Sequence, residues 1–381
     1  MKQGMILCIA MAAAAFGTNP IITTMYTADP SAHVWADGKL WLYPSHDRND
    51  AQWWDMTDWH VFSSVDCVTW TDHGVCLSLS DIPFAKSSAW APDCAYRNGT
   101  YYFYFPVSSV SWNSNTDNIG VATSANAQGP FTVVPTPIVT GGPAFDPCVF
   151  IDDDGQAYLY CGSNAPYVGK LQQSMTALDG SLQAIQGATG FLEAIWMHKR
   201  NGIYYLSYSS NGAISYCMGT SPTGPFTYKG VVLTWTGTVT IHASIVEYQG
   251  TWLMFYHNQA LPGGNAYKRS VCVDRLYYNA DGTMKQVVQT AQGVSFPTSA
   301  SRNRRPSNRS TALCQVTGTR ITVPSAATIT VVNVRAAVAL RRRTGGPSSV
   351  DLGTLPAGRY SVMIEQQRGR EQMTVAVLPR R

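Results

Sequence analysis

The sequence is poor in charge and in several kinds of motif. Aspartate, glutamate, lysine and arginine make up only 13% of 381 residues. Beyond the N-terminus no apolar run reaches the length of a membrane span, so an integral helical membrane protein is excluded. The nine cysteines include no C-x-x-C pair, which argues against a zinc–cysteine site. Cys67 and Cys76 flank "VTWTDHGV" and could close a hairpin, with buried free thiols the equal alternative. His33, His46, His60, His73, His198 and His257 show no paired metal spacing. Aromatic residues, in contrast, reach 11%, with 32 Gly and 21 Pro, a composition that favours short strands and many turns.

Composition also divides the chain. Lys2 precedes the apolar run Met5 to Phe16, and Ala15-Phe16-Gly17 is a small-residue cleavage pattern, so residues 1–17 are expected to be a signal peptide and the protein secreted, periplasmic or cell-surface. Export would permit disulfides. From Ser301 onward there are 14 Arg, no Lys and three acids, a balance of +11; with +4 overall, the first 300 residues carry −7. The shift marks a boundary, giving a main domain over 18–298, a basic linker over 299–310 and a small C-terminal β domain over 311–381. The arginines alone could suggest nucleic acid. The aromatics needed for stacking are nearly absent there, Tyr360 standing alone, so neither nucleic acid nor a carbohydrate-binding module is expected.

The first 300 residues repeat one pattern: a turn glycine followed by aromatic, strand-like alternation, as in "DGKLWLYPS", "NGTYYFYFP", "DGQAYLYCG", "NGIYYLSYS" and "QGTWLMFYH". The glycines, Gly38, Gly99, Gly155, Gly202 and Gly250, are 61, 56, 47 and 48 residues apart. A second hairpin element recurs as "SANAQGPFTVV" and "TSPTGPFTYKG". Four strands per unit, repeated about every fifty residues, predict an all-β, five-bladed β-propeller. A two-sheet sandwich gives no reason for a fivefold repeat.

In a propeller the first strand of each blade lines the central channel, so residues at a fixed offset before each turn glycine should meet around the axis. Asp29, Trp90, Asp146 and Glu193 stand nine residues before their glycines, and His242 stands eight before Gly250. Three carboxylates and a histidine beside an aromatic wall suit glycoside hydrolysis, which needs one protonated and one ionised carboxyl. Glu193, among Phe191, Leu192, Ile195 and Trp196, is the expected acid, Asp29 the base and Asp146 the modulator of the acid. His46-Asp47 could line the pocket rim; Trp53, Trp54 and Trp59 could stack on sugar rings or pack between blades. "IDDDGQ" lacks calcium-loop spacing and reads as a hairpin turn.

The strings "ADPS", "WAPD", "FDPCVFIDDDGQAYLY", "LEAIWMHKRNGIYYLSYS", "IHASIVEYQGTWLMFYHN" and "RSVCVDRLYYNADGTM" resemble glycoside hydrolase family 43 over roughly Asn19 to Val288. The resemblance implies inverting hydrolysis of arabinose- and xylose-containing polysaccharides or oligosaccharides, with Asp29 as general base, Asp146 as pKa modulator and Glu193 as general acid. It further implies Trp90 and Phe145 as walls of the sugar pocket, Arg269 as a sugar contact, and His242 facing the channel, where it can bind calcium through water. No cofactor would be required for the chemistry. Glu193-Ala194-Ile195 replaces the commoner Glu-Gly-Pro, and Ile241-His242-Ala243-Ser244 departs from the commoner calcium-site pattern. An endo-arabinanase of the same fold and a non-catalytic propeller lectin are the alternatives. The C-terminal "VDLGTLPAGRYSVMI" resembles the sorting domain of proteins exported by the type IX system, which would make that export machinery a partner.

Overall fold

The computed structural model describes residues 17–111 and 115–297 and, further along, strands between residues 315 and 377. The proposed signal peptide, Cys8, Cys314 and the basic linker lie outside the described residues, except Gly17. Two compact units divide between Thr298 and Ser299.

The first unit is a five-bladed propeller. Blade 1 comprises β1 (Tyr26–Val34), β2 (Leu40–Asp47), β3 (Asp58–Ser64) and β4 (Thr71–Ser78). Blade 2 comprises β5 (Asp93–Arg97), β6 (Thr100–Val107), β7 (Asn118–Ser124), β8 (Thr132–Val133) and a short β9 (Val139–Thr140), which also pairs with β7. Blade 3 runs β10 (Cys148–Ile151), β11 (Ala157–Cys161), β12 (Tyr167–Lys170) and β13 (Gln183–Ala184). Blade 4 runs β14 (Glu193–Arg200), β15 (Ile203–Ser210), β16 (Ala213–Gly219) and β17 (Thr227–Leu233). Blade 5 has β18 (Ala243–Tyr248), β19 (Thr251–Asn258) and β20 (Ser270–Arg275). Every blade is antiparallel, and each repeated glycine turns the first strand into the second.

The turns follow from their residues. Asn98-Gly99, Asn201-Gly202 and Gln249-Gly250 have positive φ at both positions, the geometry that matches a two-residue loop to strand twist. Strand alternation then buries both faces of the blades. Trp59, Phe103 and Phe105 pack between blades 1 and 2, and Leu40, Leu42, Phe62 and Phe255 between blades 1 and 5. Burying each such side chain contributes about 1.5–3 kcal/mol. Trp59, a candidate sugar platform from its sequence context, is a core residue whose indole N–H donates to Trp90 O at 2.7 Å.

Blade 5 is completed by the N-terminal segment. Ile21 N–H donates to Val271 O at 2.8 Å, and Val273 N–H donates to the Asn19 Oδ1 at 2.8 Å. Asn19 Nδ2 reaches Val273 O at 3.0 Å and Thr290 O at 2.9 Å. This clasp ties the start of the propeller to its last blade.

Cys67, Cys76, Cys94, Cys148, Cys161, Cys217 and Cys272 are buried free thiols, so the Cys67–Cys76 bridge does not form. "IDDDGQ" is the β10–β11 turn; Asp152 accepts from Lys199 Nζ at 2.5 Å and Tyr204 Oη at 2.6 Å. Among the described residues no helix is long and apolar enough to cross a membrane. In the second unit, strand Ala327–Asn333 pairs with Val338–Thr344 and Gly358–Gln366, and Gly358–Gln366 pairs with Gly369–Val377.

Candidate active site

A cavity of about 140 Å³ opens at one end of the channel and is lined by Asp29, Asp146, Glu193, His242, Arg269, Trp90 and Phe145, together with Trp53 and Trp54. The seven residues singled out from the repeat register and the family resemblance therefore meet in one place.

Local backbone geometry puts the carboxylates there. β1 is bulged between Ala28 and Ser31, and Asp29 sits in the bulge at φ 48°. β14 is bulged between Glu193 and Trp196, with Ala194 at φ 65°, and Asp146 has φ 45° just before β10. Left-handed non-glycine residues are uncommon and persist where their surroundings hold them. Here the holding bonds are visible. Asp29 N–H donates to His257 Nδ1 at 3.0 Å, and Ala194 N–H donates to Asp146 Oδ2 at 3.0 Å.

The charges are arranged asymmetrically. Arg269 Nη1 donates to Asp29 Oδ1 at 2.8 Å and Nη2 to Asp29 Oδ2 at 3.2 Å, while Ser45 Oγ donates to Asp29 Oδ2 at 2.6 Å. Burial alone would raise the Asp29 pKa, but Arg269, His242 and His257, with the Ser45 hydrogen bond, outweigh it and hold the carboxyl at about 2. For Glu193 the balance falls the other way: His242 and Arg269 lower its pKa, but by less than burial and the aspartates raise it. Burial and the nearby Asp146 charge push its pKa up to about 8. Asp146 is itself raised, by burial foremost and by Asp29. His242 Nε2 lies 3.2 Å from Asp146 Oδ2 and 3.7 Å from Asp29 Oδ1; burial opposes its charge, yet the two carboxylates raise its pKa to about 9. At neutral pH the cavity thus holds an ionised Asp29 and a protonated Glu193, the split that general acid–base chemistry requires.

Three residues of the site carry no signal at the repeat offset. Asp47 is fully buried and accepts from Arg269 Nε at 2.9 Å, Nη2 at 2.8 Å and backbone N at 2.8 Å. Ser45 and His257 hold Asp29 as described. Strand alternation on β2 places Ser45 and Asp47 on one face, which splits the His46-Asp47 pair: Asp47 reaches the site, whereas His46 turns away to Asp58 Oδ1 at 2.7 Å. Arg269, expected as a sugar contact, lines the cavity, but its guanidinium is engaged by Asp29 and Asp47. Asp93, three residues past Trp90, lies outside the cavity. It accepts from Ser31 Oγ at 2.6 Å and Val149 N at 2.6 Å, joining blades 1, 2 and 3 around the axis.

The aromatic wall is braced by hydrogen bonds. Trp90 Nε1 donates to Trp54 O at 2.7 Å and Trp54 Nε1 to Ala266 O at 3.1 Å; Trp90 meets Phe145 edge-on at 5.7 Å between centroids. Donor atoms of Asp146, Glu193 and His242 lie within 4.8 Å of one another. A narrow space of about 20 Å³ below them, bounded by Asp29, Asp146 and His242, is of single-water size. That donor set fits a hydrated cation such as calcium only with His242 neutral, because an imidazolium already supplies positive charge between the two aspartates.

A propeller with one ionised and one protonated carboxyl in an aromatic-walled cavity is the framework of a glycosidase. The sequence matches glycosyl hydrolases family 43 over residues 17–284, and the chain belongs to that family. It is 41% identical to xylosidase/arabinosidase 43A of Humicola insolens over 323 residues, 69% of this chain and 97% of that protein. It is 35% identical to a xylosidase/arabinosidase of Bacteroides ovatus over 68% of this chain and 93% of that protein. Among solved structures it resembles a family 43 β-xylosidase/α-arabinofuranosidase from a compost microbial metagenome, in complex with xylotriose and calcium-free (TM-score 0.65, 36% identity, 72% of this chain and 98% of that one).

Proposed function

We propose that the protein removes α-L-arabinofuranosyl and/or β-D-xylosyl residues from hemicellulose with inversion. Glu193 protonates the departing glycosidic oxygen. Asp29 takes a proton from the water that attacks the anomeric carbon from the opposite face. Asp146 and His242 set the charge around Glu193. The opposed pKa shifts of Asp29 and Glu193 within one cavity are the observation that carries this reading. The relatives named for both xylosidase and arabinosidase action support the substrate class. The small cavity, closed on one side by Trp53, Trp54 and Trp90, favours a single terminal sugar over the chain segment an endo-arabinanase would bind. Calcium, if bound in the channel through water at a neutral His242, would take the place of the imidazolium charge beside the carboxylates.

Residues 1–17 act as a signal peptide, placing the enzyme in the periplasm, at the cell surface or outside the cell. The segment 311–381 forms a small β domain that serves export.

Release of 4-nitrophenol from the arabinofuranoside and the xyloside tests the activity, and NMR of the first-formed sugar anomer tests inversion. Activity on either substrate that persists in Glu193→Ala would sink the assignment of the acid. A retained anomer would sink the role of Asp29 as base.

A further inference from the structure

Blade 1 carries a second group of ligand atoms that hydrolysis leaves unused. Ser45 pairs with Trp59 across β2 and β3, which sets His46 opposite Asp58; His60, two residues further along β3, falls on the same face. One donor atom from each of His46, Asp58 and His60 lies within 4.8 Å of the others. His46 Nδ1 is 2.7 Å from Asp58 Oδ1, and His60 Nε2 is 4.0 Å from that same oxygen. The far nitrogen of His60, Nδ1, is 3.1 Å from Asp72 Oδ1 on β4. Because a carboxylate only accepts, Nδ1 carries the hydrogen and donates. The neutral ring then keeps its lone pair on Nε2, on the Asp58 side. The three side chains are 13–22% exposed, sheltered yet reachable from solvent.

We propose that His46, Asp58 and His60 bind a divalent transition metal of the zinc class, with Asp72 orienting His60. Ligand bonds of about 2.0–2.2 Å in a tetrahedron set neighbouring donors roughly 3.3 Å apart. The separations of 2.7 and 4.0 Å bracket that value, so small side-chain rotations close the site. Two imidazoles and one carboxylate select zinc, cobalt, nickel or copper over magnesium and calcium, and three protein ligands leave a fourth position for water. A histidine that ligates through one nitrogen and donates from the other to a carboxylate is the usual outer arrangement of such sites. On binding, neutral His46 moves its proton from Nδ1 to Nε2 and offers the freed lone pair. The site lies across the sheet from Ser45 and Asp47, so the metal would pin β2 to β3 directly behind the residues that hold Asp29.

Calorimetric titration of the tag-free, chelator-treated full chain with zinc chloride, together with cobalt(II) absorption, tests the proposal. One zinc per chain is expected, with a four-coordinate cobalt spectrum and a raised melting temperature reversed by chelator. Binding should weaken more than about 100-fold in His60→Ala and in His46→Gln, and about 10–100-fold in Asp72→Asn. It should persist in His242→Ala. Metal-free His60→Ala should keep its hydrolytic activity, which shows that it is folded; if it does not fold, His46→Gln gives the same reading. Failure of zinc to bind would overturn the site. So would binding that survives both blade 1 variants or disappears in His242→Ala, which would put the metal at the catalytic cluster instead.

Discussion

Two carboxyl groups of similar chemistry are pulled apart by their neighbours. Asp29 lies against Arg269, whereas Glu193 lies against Asp146. The activity that depends on both should be bell-shaped in pH. With Glu193 as the proposed acid, kcat/KM should fall as pH rises through about 8; with Asp29 as the proposed base, it should fall as pH drops toward about 2. Arg269→Gln removes the main cation on Asp29, and the acid limb should move to higher pH while kcat falls. Stability has its own signature. The folded pKa of Asp29 lies below its ordinary 3.8, so its contribution is present above about 3.8 and is lost as pH falls through about 2. Glu193 has the opposite sign: the unfolded carboxyl ionises near 4.5 and the folded one near 8, so it destabilises the fold increasingly across that interval. Glu193→Gln should therefore abolish most activity, by about 10²–10⁴-fold in kcat, while raising the melting temperature at pH 7. Both are read on one purified variant. Asp29, Asp146 and Glu193 were legible because they recur at one offset from a turn glycine. Ser45 and His257 were not, and Asp47 showed only as a possible rim residue beside His46, because all three sit on second strands of their blades, where the repeat pattern is hydrophobic alternation and polar residues look like strand edges.

At the scale of the element, Asp29 and Glu193 reach the cavity through bulges, and bulges are hard to read from a sequence. Asp-Pro at 29–30 and at 146–147 looks equally like a turn. In the fold, Asp29 occupies a kink within a strand and Asp146 stands just before one. Five glycine turns, by contrast, announced the blades directly, because a turn with positive φ needs particular residue types. Ala194 at φ 65° is a position where glycine costs less than alanine. Ala194→Gly should leave the melting temperature unchanged or raise it, worth up to about 1 kcal/mol, because relief of the left-handed backbone is offset by glycine entropy. Measured on arabinofuranoside and xyloside side by side, the same variant should shift the ratio of the two activities, since the bulge sets the position of Glu193 in the cavity wall.

For the whole molecule, closure of the ring is the main structural event. Asn19 makes its bonds to Val273 and Thr290 across more than 250 residues of sequence. Asn19→Ala should lower stability by about 1–3 kcal/mol in chemical denaturation, because it leaves strand-edge groups of blade 5 unpaired. Sequence could place this segment next to a cleavage pattern, yet its partner was invisible, since a non-repeating strand edge carries no periodic signal. The boundary between Thr298 and Ser299 separates two compact units. A chain ending at Thr298 should keep the hydrolytic rate of the full chain; a loss would assign the C-terminal unit a part in the fold or in substrate binding.

The clamp around Asp29 straddles this closure. Asp29 and Asp47 come from the first blade, Arg269 and His257 from the last. The buried, oriented carboxylate of Asp29 therefore exists only while the two ends of the circle are joined. Turnover works as a fuse in this molecule: gentle heat, mild denaturant or a weakened clasp should extinguish hydrolysis while the circular dichroism of five intact sheets still reads as native.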